Sequence, residues 1–240
     1  MSTTEFPDAP CIRRWTSTEW PTVRLYLADL SALPKPAALA CLDDAERERA
    51  TRFRFPEHAR RHLASHVALR QVLSAETGVG AANLVWQHGP DGKPGLAVPN
   101  PLHFNMAHSD DLALIAVGST RPLGVDLECP GRAMDDEHVS RHIMADTEWM
   151  AWQALPAVDR ARAFLHAWTR KEACLKALGV GLGMAPSTVV VGFGPEPRAL
   201  TLTHDGRACR LTVQNITLPP QALAAWDKGA SPVAALAVMA

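Results

Sequence analysis

The chain has 240 residues, a formal net charge of −1 and a pI of about 6.8, which argues against a whole-molecule basic field of the kind that draws proteins onto DNA or an anionic membrane. At 47% hydrophobic and 20% charged, it has the composition of a globular chain able to bury a substantial core, not of a disordered one. No run approaches the roughly 20 apolar residues of a membrane span, and the opening MSTTEFPDAP lacks the basic and apolar regions of a secretion signal. Cys11, Cys41, Cys129, Cys174 and Cys209 are odd in number and form no CxxC pair, which suits reduced thiols. A soluble cytoplasmic enzyme is the expectation.

In chain order, TVRLYLADL (22–30) alternates well enough to be a strand. ALPKP ends it, and a helical region runs from about Ala37 to Leu73, with two helices or a kink expected at Pro56. GPDGKPG (89–95) reads as a turn, and PNPLHFNMAHSDD as a polar lead into the buried strand LALIAVG (112–118). STRP then turns the chain into the strand LGVDLE. Residues 135–155 and 158–179 read as helices, the second stopped by Gly179. STVVVGF (187–193), RALTLT and RACRLTVQN read as strands, the last two joined by a hairpin turn at His204-Asp205-Gly206, and VAALAVMA closes the chain as another. Strands plus a helical block in each half, without strict alternation, give an expected α+β fold of two similar halves, 1–120 and 121–240.

Asp126 and Glu128 stand two apart in GVDLE, so in a strand both carboxylates leave one face. Like charges held that close need a cation. In WTRKEACLK the apolar stripe Phe164, Trp168, Leu175 and Leu178 places Glu172 on or beside the buried face, where a carboxylate needs a partner. Two readings stay open here. Glu172 pairs with Lys176 at i+4, or it is a third metal ligand facing Asp126 and Glu128, with Lys171 and Lys176 reaching a bound phosphate. Three oxygen ligands completed by waters and phosphate oxygens suit Mg²⁺. Only five of the 24 basic residues are lysines, and three of them (Lys93, Lys171, Lys176) fall in the segments suited to phosphate contact.

Other features carry less. His108, Asn105 and Ser109 alone would be polar turn residues. His58, His62 and His66 share a helical face, but flanking arginines make that a solvated basic surface rather than a zinc site. Trp149, Trp152 and Trp168 read as core or interface packing, since no basic stripe interleaves them as base stacking requires. The region from Arg47 to Arg61 is a charged helix surface or a contact for an anionic ligand or an acidic protein.

Together, the GKP turn (92–94), FNMAHS (104–109), GVDLE (124–128) and the run from Trp168 to Leu182 resemble the 4'-phosphopantetheinyl transferase superfamily, in particular its long, surfactin-synthetase-activating type. RFRFPEHARRHLASHVALRQVL (52–73) is similar to that family's arginine-rich region, and the likeness spans about residues 46 to 184. It implies a pseudo-twofold α+β monomer with coenzyme A and Mg²⁺ in a cleft between the halves. The implied reaction moves phosphopantetheine from coenzyme A onto a serine of an apo acyl or peptidyl carrier protein, releasing adenosine 3',5'-bisphosphate. On this chain the resemblance assigns Asp126, Glu128 and Glu172 to Mg²⁺, and Lys176, His108, Lys93, Arg49 and Lys171 to coenzyme A. Glu172, Lys176 and His108 are the catalytic candidates, with Glu172 or a water it orients as base.

Ala107 stands where the family often has Ser or Thr, so one hydrogen bond to coenzyme A is lost or comes from elsewhere, and His88 is a further 3'-phosphate candidate. A Mg²⁺-dependent phosphodiesterase and a non-catalytic coenzyme A or carrier-binding module are the alternatives, the former disfavoured by the neutral pI. The long type points to secondary metabolite biosynthesis. The residues leave the particular carrier open.

Overall fold

The computed structural model describes residues 11–17, 20–89, 92–97, 102–118, 120–131, 137–223 and 230–240. The strands are β1 (Ile12–Thr16), β2 (Val23–Asp29), β3 (Trp86–His88), β4 (Pro94–Leu96), β5 (His103–Ser109), β6 (Leu112–Gly118), β7 (Leu123–Glu128), β8 (Arg198–His204), β9 (Arg207–Ile216) and β10 (Val233–Met239). The α-helices are α1 (Pro36–Leu39), α2 (Asp44–Thr51), α3 (Pro56–Thr77), α4 (Glu137–Ile143), α5 (Asp146–Gln153) and α6 (Ala157–Leu178). The mixture of helix and antiparallel sheet is the α+β class expected.

Local chemistry sets the ends of the helices. Asp43 and Glu46 form a reciprocal capping box at the start of α2, satisfying two orphan backbone donors. Proline opens α3 where its missing N–H costs nothing, and α3 and α6 stop at Gly78 and Gly179 with φ of 73° and 88°, a region glycine enters without strain. Pro56 separates α2 from α3, as anticipated.

Strands β1-β2-β6-β5 form one antiparallel four-stranded sheet, β7-β10-β9-β8 a second, and β3-β4 a small hairpin. Alternation along the strands layers the molecule. Leu25, Leu27, Leu112 and Leu114 of the first sheet meet Leu123, Val125, Leu127, Leu236 and Val238 of the second in a shared core. The opposite faces take one long helix each: Tyr26, Ala28, Ala113 and Ile115 pack under Ala64, Ala68 and Val72 of α3, while Ala235, Ala237 and Val213 pack under Ala173, Cys174 and Ala177 of α6. LALIAVG is apolar throughout because β6 is covered on both sides.

Several elements differ from the sequence reading, among them the β3–β4 hairpin and the break between α1 and α2. Ile12–Thr16 adds an edge strand to β2. HFNMAHS is a strand, not a polar turn, its alternate side chains facing α3 and β7. The described part of 135–155 is two helices broken at Met144 and Ala145, with 135 and 136 outside the described residues. STVVVGF is no strand: the amides of Val191 and Gly192 donate to Glu148 Oε1 and the carbonyl of Val189 accepts from Lys171 Nζ, so a buried ion pair takes the hydrogen bonds a neighbouring strand would supply.

Candidate active site

Strand β7 sends Leu123, Val125 and Leu127 into the inter-sheet core and turns Gly124, Asp126 and Glu128 toward α6, the same-face pairing expected of residues two apart. Gly124 makes this possible. A Cβ there would lie 2.2 Å from the Ala173 carbonyl oxygen and 2.3 Å from the Ala177 nitrogen, so the helix backbone rests directly on the strand. That contact brings Lys176 over Asp126, with Nζ donating to Oδ1 at 2.6 Å.

Asp126 is 4% exposed and its Oδ2 is buried without a hydrogen-bond partner. Burial pushes its pKa up to about 7, Lys176 opposes the shift, and the charges of Glu128 and Glu172 add to it. The Glu172 carboxyl is likewise raised, first by burial and further by Glu128, with Lys176 again opposing. Both oxygens of Glu128 are engaged: Oε1 accepts from the Trp168 indole N–H at 3.1 Å and Oε2 from the Ser109 hydroxyl at 3.0 Å. The acids and the lysine therefore share one surface between β7 and α6. No three His, Cys, Asp or Glu among the described residues already stand together as a metal site. The donor chemistry nonetheless fits a hard cation, because a buried carboxylate with an unused oxygen beside two further carboxylates leaves three acids facing the single charge of Lys176.

His108 is exposed at the end of β5, on the face toward α3. Desolvation of its ring by the surrounding protein lowers its pKa, and the charges of Lys176, His66, His62 and Arg61 add to the shift. A cleft of about 450 Å³ has walls that include Arg49, His62, His66, His88, Trp86 and Met106, with the acidic Asp43 and Glu46 beside them. Among these, Arg49 is exposed. Ala107, on the opposite face of β5, is buried in the inter-sheet core, whereas Ser109 meets Glu128.

Two predicted residues do not join the cluster. Lys171 is fully buried and donates to Glu148 Oε2 at 2.6 Å and to the Pro186 carbonyl at 3.0 Å, so its ammonium is committed to holding α6 against α5 and the segment after it. This corrects the expectation of a phosphate contact. Lys93 extends toward the carbonyls of Leu123 (2.9 Å) and Ala177 (3.2 Å), and burial lowers its pKa to about 8. It ties the β3–β4 hairpin to the end of α6, away from Asp126. The i+4 ion pair is also replaced, since Lys176 reaches across to Asp126 rather than back to Glu172.

The packing roles expected for Trp149 and Trp152 hold, their rings stacking at 5.2 Å. His66 Nδ1 contacts Glu46 Oε1 at 3.0 Å and His62 Nε2 contacts the Glu46 carbonyl at 2.9 Å, which anchors α2 on α3. Trp168 and Ser109 are the polar contributions that sequence reasoning undervalued. The signal was present in the four-residue step from Trp168 to Glu172, which puts the indole and the carboxylate on one helical face.

A carboxylate cluster with a lysine, on a chain that also carries an Arg- and His-lined cleft, suits an enzyme that handles a phosphate-bearing ligand. Residues 122–231 match the 4'-phosphopantetheinyl transferase superfamily, and residues 35–120 match the 4'-phosphopantetheinyl transferase N-terminal family. The chain belongs to that superfamily and is an enzyme of its class. It is 35% identical to the 4'-phosphopantetheinyl transferase HetI of Nostoc sp. over 164 residues, 67% of this chain and 69% of that protein. It is 29% identical over 175 residues to the 4'-phosphopantetheinyl transferase psf-1 of Bacillus pumilus (73% of each), and 28% identical over 155 residues to a Bacillus subtilis 4'-phosphopantetheinyl transferase (65% of this chain, 68% of that protein). Among the described residues no helix is long and apolar enough to cross a membrane.

Proposed function

We propose that this enzyme transfers the 4'-phosphopantetheine arm of coenzyme A to a serine hydroxyl of an apo acyl or peptidyl carrier protein, releasing adenosine 3',5'-bisphosphate, with Mg²⁺ as cofactor. The observation that carries the reading is the meeting of Asp126, Glu128, Glu172 and Lys176 where α6 lies against Gly124. Asp126, Glu128 and Glu172 are the residues to hold Mg²⁺, which when bound supplies charge neutralisation on the pyrophosphate. The serine oxygen forms a bond to the phosphorus that bears the pantetheine, and the bond from that phosphorus to the bridging oxygen of the leaving bisphosphate breaks.

Lys176, 29% exposed at its side chain, offers its remaining donors to the phosphate oxygens where charge grows. Glu172, or a water it orients, takes the serine proton. His108 donates to the pyrophosphate or the 3'-phosphate, and Arg49 with His88 serves the 3'-phosphate at the far end of the cleft. Residues 1–120 and 121–240 act as two halves in pseudo-twofold arrangement, supported by the confinement of one sheet to 12–118 and of the other to 123–239. We place the enzyme in the cytoplasm as a monomer, serving carrier proteins of secondary metabolism.

The test is the intact mass of a purified apo carrier protein incubated with the enzyme, coenzyme A and Mg²⁺. A gain of about 340 Da, the phosphopantetheine increment, that disappears with EDTA is expected for a metal-dependent transfer. Coenzyme A binding without any gain across acyl and peptidyl carriers would overturn the proposal.

A further inference from the structure

Among the three carboxylates at the α6–β7 contact, Glu128 alone has a neutral donor within hydrogen-bond range on each oxygen, Trp168 Nε1 on one side and Ser109 Oγ on the other. Asp126 instead keeps one oxygen without a partner and shares the other with a lysine. We propose that Trp168 and Ser109 are positioning residues that lock the plane of the Glu128 carboxylate, making it the fixed ligand around which the divalent cation site assembles.

Both donors are constrained for the task. Ser109 is 3% exposed, and its Oγ accepts the Cys129 amide at 3.1 Å, which leaves the hydroxyl proton free to point at Glu128. The Cys129 thiol donates in turn to the Ser109 carbonyl at 3.3 Å, fixing the strand that carries the serine. Trp168 packs against the apolar cluster of Met144, Trp152, Ala163 and Phe164, so swinging the indole N–H away would break apolar contacts. It lies on the same helix as Glu172 and one turn before it, so one helix supplies both a ligand and the restraint on another ligand.

The energetics favour neutral donors here. A cationic partner, such as Asp126 has in Lys176, offsets part of a carboxylate's charge, whereas an indole and a hydroxyl orient Glu128 and leave its negative charge in place. The restraint removes rotamer freedom that metal binding would otherwise have to remove, so its loss appears in cation affinity rather than in recognition of the nucleotide.

This proposal rests on the reading of Asp126, Glu128 and Glu172 as metal ligands, and the experiment separates the two. Mg²⁺, and in parallel Mn²⁺, is titrated calorimetrically into the full chain saturated with coenzyme A and without carrier protein, so nothing turns over. Trp168→Phe keeps most of the ring volume and loses the N–H; Ser109→Ala removes the other donor and serves if the first variant folds poorly. The expected result is a cation affinity 10- to 100-fold weaker in either variant, typical for loss of a group that orients a metal ligand, with metal-free coenzyme A affinity within about twofold of the unsubstituted protein. Undiminished cation affinity in both variants would overturn the positioning role while leaving the metal site standing. If the unsubstituted protein itself binds neither cation, the metal reading fails and takes this proposal with it.

Discussion

Asp126 sits between opposed demands: burial and two neighbouring carboxylates hold a proton on it, and Lys176 draws the proton off. Its folded pKa of about 7 lies above its ordinary 3.8, so the native state binds a proton that the unfolded chain has released. The stability this group lends is therefore complete below pH 4 and is lost as pH rises through 7. Urea unfolding of the metal-free protein between pH 4 and 8 is expected to show this decline, and Asp126→Asn to flatten it; identical profiles would refute the assignment. The same variant and Glu172→Gln should lower carrier modification by at least ~10²-fold, the scale for losing a preorganised electrostatic group, with unchanged circular dichroism. The acids were legible because the period of two in a strand and the turn of a helix fix which side chains share a face. Lys171 was not, since its partner Glu148 is 23 positions away on another helix and neither residue alone signals burial.

Two contacts of α6 carry predictions of their own. Gly124→Ala places a methyl where helix backbone already lies, so either the helix retreats or the strand shifts, at about 1–3 kcal/mol of stability. Retreat also parts Lys176 from Asp126, and carrier modification should fall further than the loss of folded protein explains. Activity per folded molecule equal to that of the unsubstituted enzyme would count against the contact as the determinant of the site. Lys171→Met strands Glu148 in the interior and should cost about 3–5 kcal/mol in chemical denaturation, as for other broken buried pairs. Michaelis constants for coenzyme A should stay unchanged in the folded fraction, in contrast to Lys176→Met. The 187–193 segment escaped sequence reasoning for the same cause: its run of valines carries strand propensity, but the buried Glu148–Lys171 pair took its backbone groups first.

For the molecule as a whole, the core shared by the two sheets is the controlling fact. Among the described residues each sheet buries its second face against the other, so neither sheet with its helix has a complete apolar interior. Residues 1–120 expressed alone should expose Leu25, Leu27, Leu114 and Ala116 and fail to unfold cooperatively, whereas co-expression with 121–240 should rescue solubility. A cooperative, soluble 1–120 fragment would show that the half is self-sufficient. The apolar strands and the long helices were readable from periodicity, while the stacking of the two sheets was not, because alternation states that a face is covered and not by what.

The border strands β5 and β7 belong to different sheets and are joined through side chains: Asn105 Oδ1 accepts the Val125 amide at 2.9 Å, and Ser109 Oγ accepts the Cys129 amide. Those two amide protons consequently trade with deuterium only when the seam itself parts, independently of fraying within either ladder. Val125 and Cys129 are thus a pair of native isotope clocks for the opening of the molecule along its midline, readable by nuclear magnetic resonance without a ligand or a substitution.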